Sequence, residues 1–138
     1  MTKSIDIRRG RTCVFQMHVH LVFVTKYRRR VFTKSLLQDL RAIFTAVCKD
    51  FDAVLVEMDG EDDHVHLLAN YPPKVSISRL VNSLKGVSSR LIRKGGYPSI
   101  QKALWGHALW SPSYFASSCG GAPLGIIQQY IQQQKTPI

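Results

Sequence analysis

Two histidines one residue apart, in Asp63-His64-Val65-His66-Leu67-Leu68, and a tyrosine and a glutamine four apart, Tyr130 and Gln134, carry the groups with which this chain can attack a substrate and hold a cation. In a strand successive side chains alternate faces, so His64 and His66 point the same way while Val65 and Leu67 point to the other side. Two imidazoles on one face can grip one cation, although the same pair would also serve as two half-buried polar residues. If Leu124 to Gln134 is helical, Tyr130 and Gln134 share a stripe, and a phenol and an amide carbonyl approach a site side by side.

A phenol is a poor nucleophile at neutral pH, because its unperturbed pKa is about 10, and it needs a nearby cation or a polarised electrophile. Imidazoles from His64 and His66 with the amide oxygen of Gln134 would leave coordination positions open for water and phosphate oxygens. Mixed nitrogen and oxygen donors suit Mg²⁺ or Mn²⁺, and donor type alone does not exclude zinc. Attack by Tyr130 on a phosphodiester would leave a phosphotyrosine and a free hydroxyl, and a second hydroxyl could reverse the step. Simple hydrolysis would not need the tyrosine.

Composition narrows the partner. The chain has 138 residues, suited to one domain, with 19 lysines and arginines against 9 acidic residues, a formal net charge of +10 and a pI near 9.9. A polyanion, nucleic acid first, is the expected partner. Every carboxylate side chain lies between Asp6 and Asp63, and the last 75 residues carry eight basic side chains and no acidic one. That counts against a two-metal nuclease or transposase built on three scattered acids. Cys13, Cys48 and Cys119 fit neither a disulfide framework nor a zinc ribbon, so a reducing cytoplasm is expected. No signal peptide or membrane-spanning run is read, and a soluble intracellular protein is expected.

The elements that must position these groups follow from periodicity. Val14 to Thr25 reads as a long strand, followed by the basic turn Lys26-Tyr27-Arg28-Arg29-Arg30. Thr33 caps an amphipathic helix that runs to about Asp50, with Leu36, Leu37, Leu40, Ile43, Phe44 and Val47 at helical spacing. Ala53 to Met58 and His64 to Asn70 read as a hairpin around Asp59-Gly60-Glu61-Asp62. A second helix spans about Ile77 to Arg93 and stops at Gly95-Gly96. A short helix at Pro98 to Leu104, a strand at Ser113 to Ser118 and a final helix beginning at Pro123 complete the chain. The expected fold is α+β, the split β-α-β sandwich of ferredoxin-like and RRM-like domains, with an antiparallel sheet, His64 and His66 on a central strand, and one additional C-terminal helix carrying the tyrosine. The core is expected over about 12–119 and the tyrosine helix over about 122–135, in a single domain of 1–138.

These residues resemble the single-tyrosine HUH transposases of the insertion sequence 200/605 group, in which HUH denotes histidine, hydrophobic, histidine, here His64-Val65-His66. The resemblance extends from about Val14 to Gln134. It includes Lys26-Tyr27-Arg28-Arg29, Lys85-Gly86-Val87-Ser88-Ser89, Trp110-Ser111-Pro112-Ser113-Tyr114-Phe115, and Tyr130-Ile131 with Gln134. It implies that His64, His66 and Gln134 are metal ligands and that Tyr130 takes the 5′ phosphate, leaving a 3′ hydroxyl free. It further implies a homodimer that cuts single-stranded DNA at the ends of a mobile element, recognises nearby DNA hairpins and rejoins the strands, in a prokaryotic cytoplasm beside the nucleoid. In such proteins the tyrosine helix can complete the partner's histidine site, and Gly120-Gly121 is consistent with such an exchange or with an ordinary loop. Asp62 stands where proline is frequent in the family, and His18 where an aromatic is common.

Asp63 is a candidate to orient a metal-bound imidazole, or a hairpin turn residue. His18 and His20 repeat the histidine spacing without an assignable tyrosine and amide, and read as structural or DNA-proximal. Arg28, Arg29 and Arg30 after the first strand, and Lys85, Arg90 and Arg93 on the second helix, are candidate DNA phosphate contacts. Tyr27 or Tyr71 could stack on unpaired bases or simply pack. Competing readings are a domesticated relative acting on dispersed palindromic repeats, a noncatalytic RNA- or single-stranded-DNA-binding module of the same fold, and a metal hydrolase using Asp59, Glu61, Asp62 or Asp63 with the histidines.

Overall fold

The computed structural model of the chain describes residues 7–104, 108–118 and 131–132. In chain order the elements are β1 (Arg8–Arg9), β2 (Val14–Phe15), β3 (His18–Val24), a 3₁₀ turn (Lys26–Arg28), α1 (Lys34–Asp50), β4 (Val54–Gly60), β5 (His64–Asn70), α2 (Ile77–Lys94), α3 (Pro98–Leu104) and β6 (Phe115–Ser118). The main sheet has the order β4-β5-β3-β6, with every neighbour antiparallel. From β3 to β6 the chain therefore runs strand, helix, strand, strand, helix, strand, with α3 inserted before the last strand. That is the expected split β-α-β arrangement, and β5, which carries both histidines, lies inside the sheet.

Alternation along the strands sorts the sheet into two faces. Val19, Leu21, Phe23, Val65, Leu67 and Ala69 point to one side and join Leu36, Leu40, Phe44 and Val47 of α1 and Leu80, Val81, Leu84 and Ile92 of α2 in one buried cluster. Both helices start at hydroxyl caps: Leu36 N donates to Thr33 Oγ1 at 3.2 Å, and Arg79 N donates to Ser76 Oγ at 3.2 Å. The α2 helix ends at Lys94, and Gly96, at φ 73°, takes the left-handed conformation that turns the chain away. The opposite sheet face carries Val22 and Val24, on which Ile131 packs in a second, smaller cluster with Phe115.

The expected long first strand is interrupted. Val14–Phe15 pairs with Arg8–Arg9 in a separate two-stranded ribbon, and Met17 O accepts from Tyr71 N at 3.0 Å before β3 begins at His18. The hairpin also differs from its expected bounds: β4 extends to Gly60, so Asp59 pairs with His66 in register and the turn shortens to 61–63. Cys13 and Cys48 are free thiols, and Cys119, Gly120, Gly121 and Pro123 lie outside the described residues. Of the expected final helix, residues 131–132 are described and are helical, while Tyr130 and Gln134 lie outside the described residues. No described helix is long and apolar enough to cross a membrane.

Candidate active site

The cross-strand register gathers the histidines. His66 stands opposite Val22 and His64 opposite Val24 in the β3–β5 ladder, and residues directly opposite point to the same side of a sheet. His64, His66, His18 and His20 thus share the face that α1 and α2 leave uncovered. The His64 and His66 rings meet edge to face with centroids 5.0 Å apart, and the His20 ring stacks on His66 at 5.7 Å. His18 is buried deeper along the strand, where its Nε2 accepts from Asn70 Nδ2 at 3.2 Å.

Asp63 sets the state of His64. Its Oδ1 accepts from His64 Nδ1 at 2.7 Å, its Oδ2 accepts from Arg28 Nε at 3.0 Å, and both Asp63 and His64 are buried. An Nδ1 proton engaged in this way leaves Nε2 of His64 as the lone-pair nitrogen. His66 is held neutral by its surroundings. Burial, reinforced by the neighbouring His64 and His20 and opposed by Asp59, pushes its pKa down to about 4. Imidazole binds a cation in its neutral form, and His66 is held in it.

Both rings open onto a cleft of about 800 Å³. Asp59, Gly60 and Glu61 from the hairpin form one wall, Arg28 and Arg30 from the basic turn another, and Ile131 and Gln132 contribute from the C-terminal segment. Gly60 permits close packing here, since a Cβ at that position would lie 3.0 Å from Leu37 Cδ2 and 3.1 Å from His64 O. Among the described residues no group of three or more histidines, cysteines, aspartates or glutamates is arranged to hold a metal ion. Glu61 Oε2 comes within 3.7 Å of His64 Nε2 on an exposed side chain, Asp62 faces Arg30 at 3.9 Å, and Asp63 is committed to His64 and Arg28. This arrangement gives little support to a hydrolase built on these acids.

The six basic candidates separate by environment. Arg28 is paired with Asp63, Arg29 donates to the carbonyl of Ala103 and lies 5.3 Å from the Tyr27 ring centroid, and Lys85 donates to the carbonyls of Ser111 at 2.6 Å and Ser113 at 3.1 Å. Arg30, Arg90 and Arg93 are exposed. Tyr27 is exposed, whereas Tyr71 packs against the main core. Sequence reading missed the contact of His20 with His66 and the pairing of Arg28 with Asp63. The first depends on strand register, and the only sequence signal for the second is the acid directly before His64.

Residues 13–134 match a family model described as IS200-like transposase. The chain is 32% identical over 130 residues to the ISDra2 transposase TnpA of Deinococcus radiodurans, covering 94% of this chain and 92% of that protein. It is 29% identical over 115 residues to the transposase for insertion sequence element IS200 of Salmonella typhimurium, covering 83% of this chain and 74% of that protein. Among solved structures, that of a proposed transposase from Deinococcus radiodurans R1 superposes with a TM-score of 0.84 at 32% identity, over 94% of this chain and 99% of the other. A REP-associated tyrosine transposase bound to a REP hairpin shares the fold, with a TM-score of 0.55 at 13% identity over 90% of this chain and 67% of that one. A family match spanning nearly the whole chain, with near-complete mutual coverage of relatives in sequence and in fold, places the histidine cleft in an enzyme that acts on DNA: the chain belongs to the IS200-like transposase family.

Proposed function

We propose that this transposase cuts and rejoins single-stranded DNA at the ends of an insertion sequence through a 5′-phosphotyrosine at Tyr130. The observation that carries this reading is the shared face of the sheet. His64 and His66 open onto a cleft also lined by Ile131 and Gln132, and Ile131, the residue directly after Tyr130, is buried on Val22 and Val24.

The histidines suit a divalent cation. Nε2 of His64 is left as a lone pair by the Asp63 hydrogen bond, and His66 is kept neutral by burial. With Gln134 as third ligand, a bound Mg²⁺ or Mn²⁺ would supply Lewis acidity at the scissile phosphate and favour the ionised phenol. In the cutting step the Tyr130 oxygen bonds to phosphorus as the bond from phosphorus to the 3′ oxygen breaks. The phenolic proton is lost to solvent and the departing 3′ oxygen gains one, giving a free 3′ hydroxyl. Rejoining is the same exchange with another strand's 3′ hydroxyl as nucleophile, so no external energy source is needed.

Exposed Arg30, Arg90 and Arg93 are suited to phosphate contacts along the strand, and exposed Tyr27 to stacking on an unpaired base. DNA hairpins at the element ends are proposed partners. The hairpin-bound tyrosine transposase of the same fold supports that choice by analogy. A homodimer, with the tyrosine helix serving its own or the partner's histidines, completes the proposal.

The end chemistry tests it. Labelled single-stranded DNA from the flanks of the gene, incubated with protein and Mn²⁺, should yield a 3′ end that a polymerase extends and a 5′ end resistant to kinase and phosphatase because protein blocks it. Free 5′ phosphates on every product would indicate hydrolysis and overturn the tyrosine mechanism.

A further inference from the structure

Three consecutive arginines, Arg28, Arg29 and Arg30, have equal standing in the sequence, but the backbone singles out the first. Tyr27, at φ 65° and ψ 17°, and Arg28, at φ 53°, are consecutive non-glycine residues in the left-handed region. Side chains there are strained, and such a conformation persists only where its surroundings impose it. The surroundings are specific. Thr25, fully buried, donates from its backbone N to the carbonyl of Asp63 at 2.9 Å, accepts at its own carbonyl from Arg28 N at 2.9 Å, and caps Arg29 O with its hydroxyl at 2.8 Å. Lys26 N is anchored on Leu109 O at 2.9 Å.

One turn therefore grips Asp63 twice, by its main chain through Thr25 and by its carboxylate through Arg28 Nε. The other carboxylate oxygen receives His64 Nδ1. Guanidinium, carboxylate and imidazole form a chain in which each group fixes the orientation of the next. The Arg28 side chain is 24% exposed, against 76% for Arg30, and its Nε is committed to Asp63 although the residue also lines the cleft.

We infer that Arg28 is a positioning residue of the histidine site: by holding Asp63 in place it fixes His64 in the tautomer protonated at Nδ1 and keeps the Nε2 lone pair directed into the cleft. Loss of a partner that orients a ligating histidine typically costs about 10–100-fold in metal affinity or activity. Where that affinity is concerned, the inference rests on the metal-assisted reading above. The tautomer itself does not.

The experiment uses the full-length protein, ¹⁵N-labelled. Long-range ¹H–¹⁵N correlation on metal-free protein reads the His64 tautomer, and a Mn²⁺ titration followed by electron paramagnetic resonance reads the site. Wild type should show Nδ1 protonated. Arg28→Gln should populate the Nε2-protonated tautomer and weaken Mn²⁺ about tenfold, Arg28→Lys should fall between, and Asp63→Asn should invert the tautomer. An unchanged tautomer in folded Arg28→Gln, with a loss of single-stranded DNA affinity instead, overturns the inference and makes Arg28 a phosphate contact. If Arg28→Gln does not fold, Arg28→Lys decides, and wild-type tautomer populations in it overturn the inference. If wild type binds no Mn²⁺, the metal reading fails while the tautomer comparison still decides the role of Arg28.

Discussion

The imidazoles of His20 and His66, on neighbouring strands, stack with ring centroids 5.7 Å apart and planes 27° from parallel. Their stacking puts a third imidazole beside the His64 and His66 pair, and its proximity opposes protonation of His66. Burial lowers the pKa of His20 and of His18 as well, and His66 is pushed down to about 4, chiefly by burial and then by its histidine neighbours. In the unfolded chain each would protonate near pH 6.5. Between that value and pH 4 the unfolded state therefore binds more protons than the folded one, and stability must fall as pH falls through this window. Urea denaturation of metal-free protein at pH 7.5, 5.5 and 4.5 should show the loss, and His66→Gln should lose less over the same range. Equal losses in the two proteins would show that His66 is not held neutral by the fold.

A second prediction concerns Ser88 and Trp110. Trp110 Nε1 donates to Ser88 Oγ at 2.9 Å, and the indole sits among Phe23, Phe32 and Phe44. Ser88→Ala leaves a buried N–H without its acceptor and should cost about 1–3 kcal/mol. Denaturant unfolding followed by tryptophan fluorescence measures it, and a change under half a kcal/mol would mean that the indole finds another acceptor.

The basic residues should divide into two kinds. Lys85, whose pKa is lowered to about 8 by burial, holds the 111–113 segment through two carbonyls, so Lys85→Met should reduce stability by about 1.5–3 kcal/mol. Arg90 and Arg93 are exposed on α2, and replacing either with Gln should leave stability within about 0.5 kcal/mol while lowering the salt slope of single-stranded DNA binding by about 0.7. Fluorescence anisotropy across a salt series distinguishes the two kinds, and an unchanged slope in Arg90→Gln and Arg93→Gln together would remove α2 from the DNA path.

The seat of the C-terminal segment should be separable from DNA binding. Ile131 is buried on Val22 and Val24, and Ile131→Ala should weaken that docking by about 2 kcal/mol. Covalent adduct formation should then slow while affinity for DNA is retained. Equal rates for wild type and variant would place the reacting tyrosine independently of this contact.

Much of this architecture was legible in the sequence because it follows from local periodicity. The faces of His64 and His66, the Thr33 cap, the limits of α2 and the short helix at Pro98–Leu104 all depend on residues a few positions apart. The family itself was legible from motifs in order along the chain, and the comparisons bear it out. What escaped depends on long-range registration. The ribbon of Arg8–Arg9 with Val14–Phe15 interrupts an apparently continuous strand, and the hairpin register carries β4 on to Gly60, where Asp59 faces His66. The pairing of Arg28 with Asp63 joins residues 35 positions apart through a left-handed turn at Tyr27 and Arg28 that no propensity favours. Arg28 and its neighbours looked alike because charge is visible in a sequence and its partner is not.

The proposed mechanism stands on Tyr130 acting at the His64 and His66 cleft. The decisive measurement is the intact mass of the protein after incubation with single-stranded DNA from its own flanks and Mg²⁺ or Mn²⁺, under denaturing conditions. A mass increase equal to the 5′-phosphorylated fragment, mapped to Tyr130 by peptide sequencing and lost in Tyr130→Phe and in His64→Ala, is the predicted result. DNA bound by the protein but no covalent product on those flanks, or an adduct that persists in Tyr130→Phe, would contradict it.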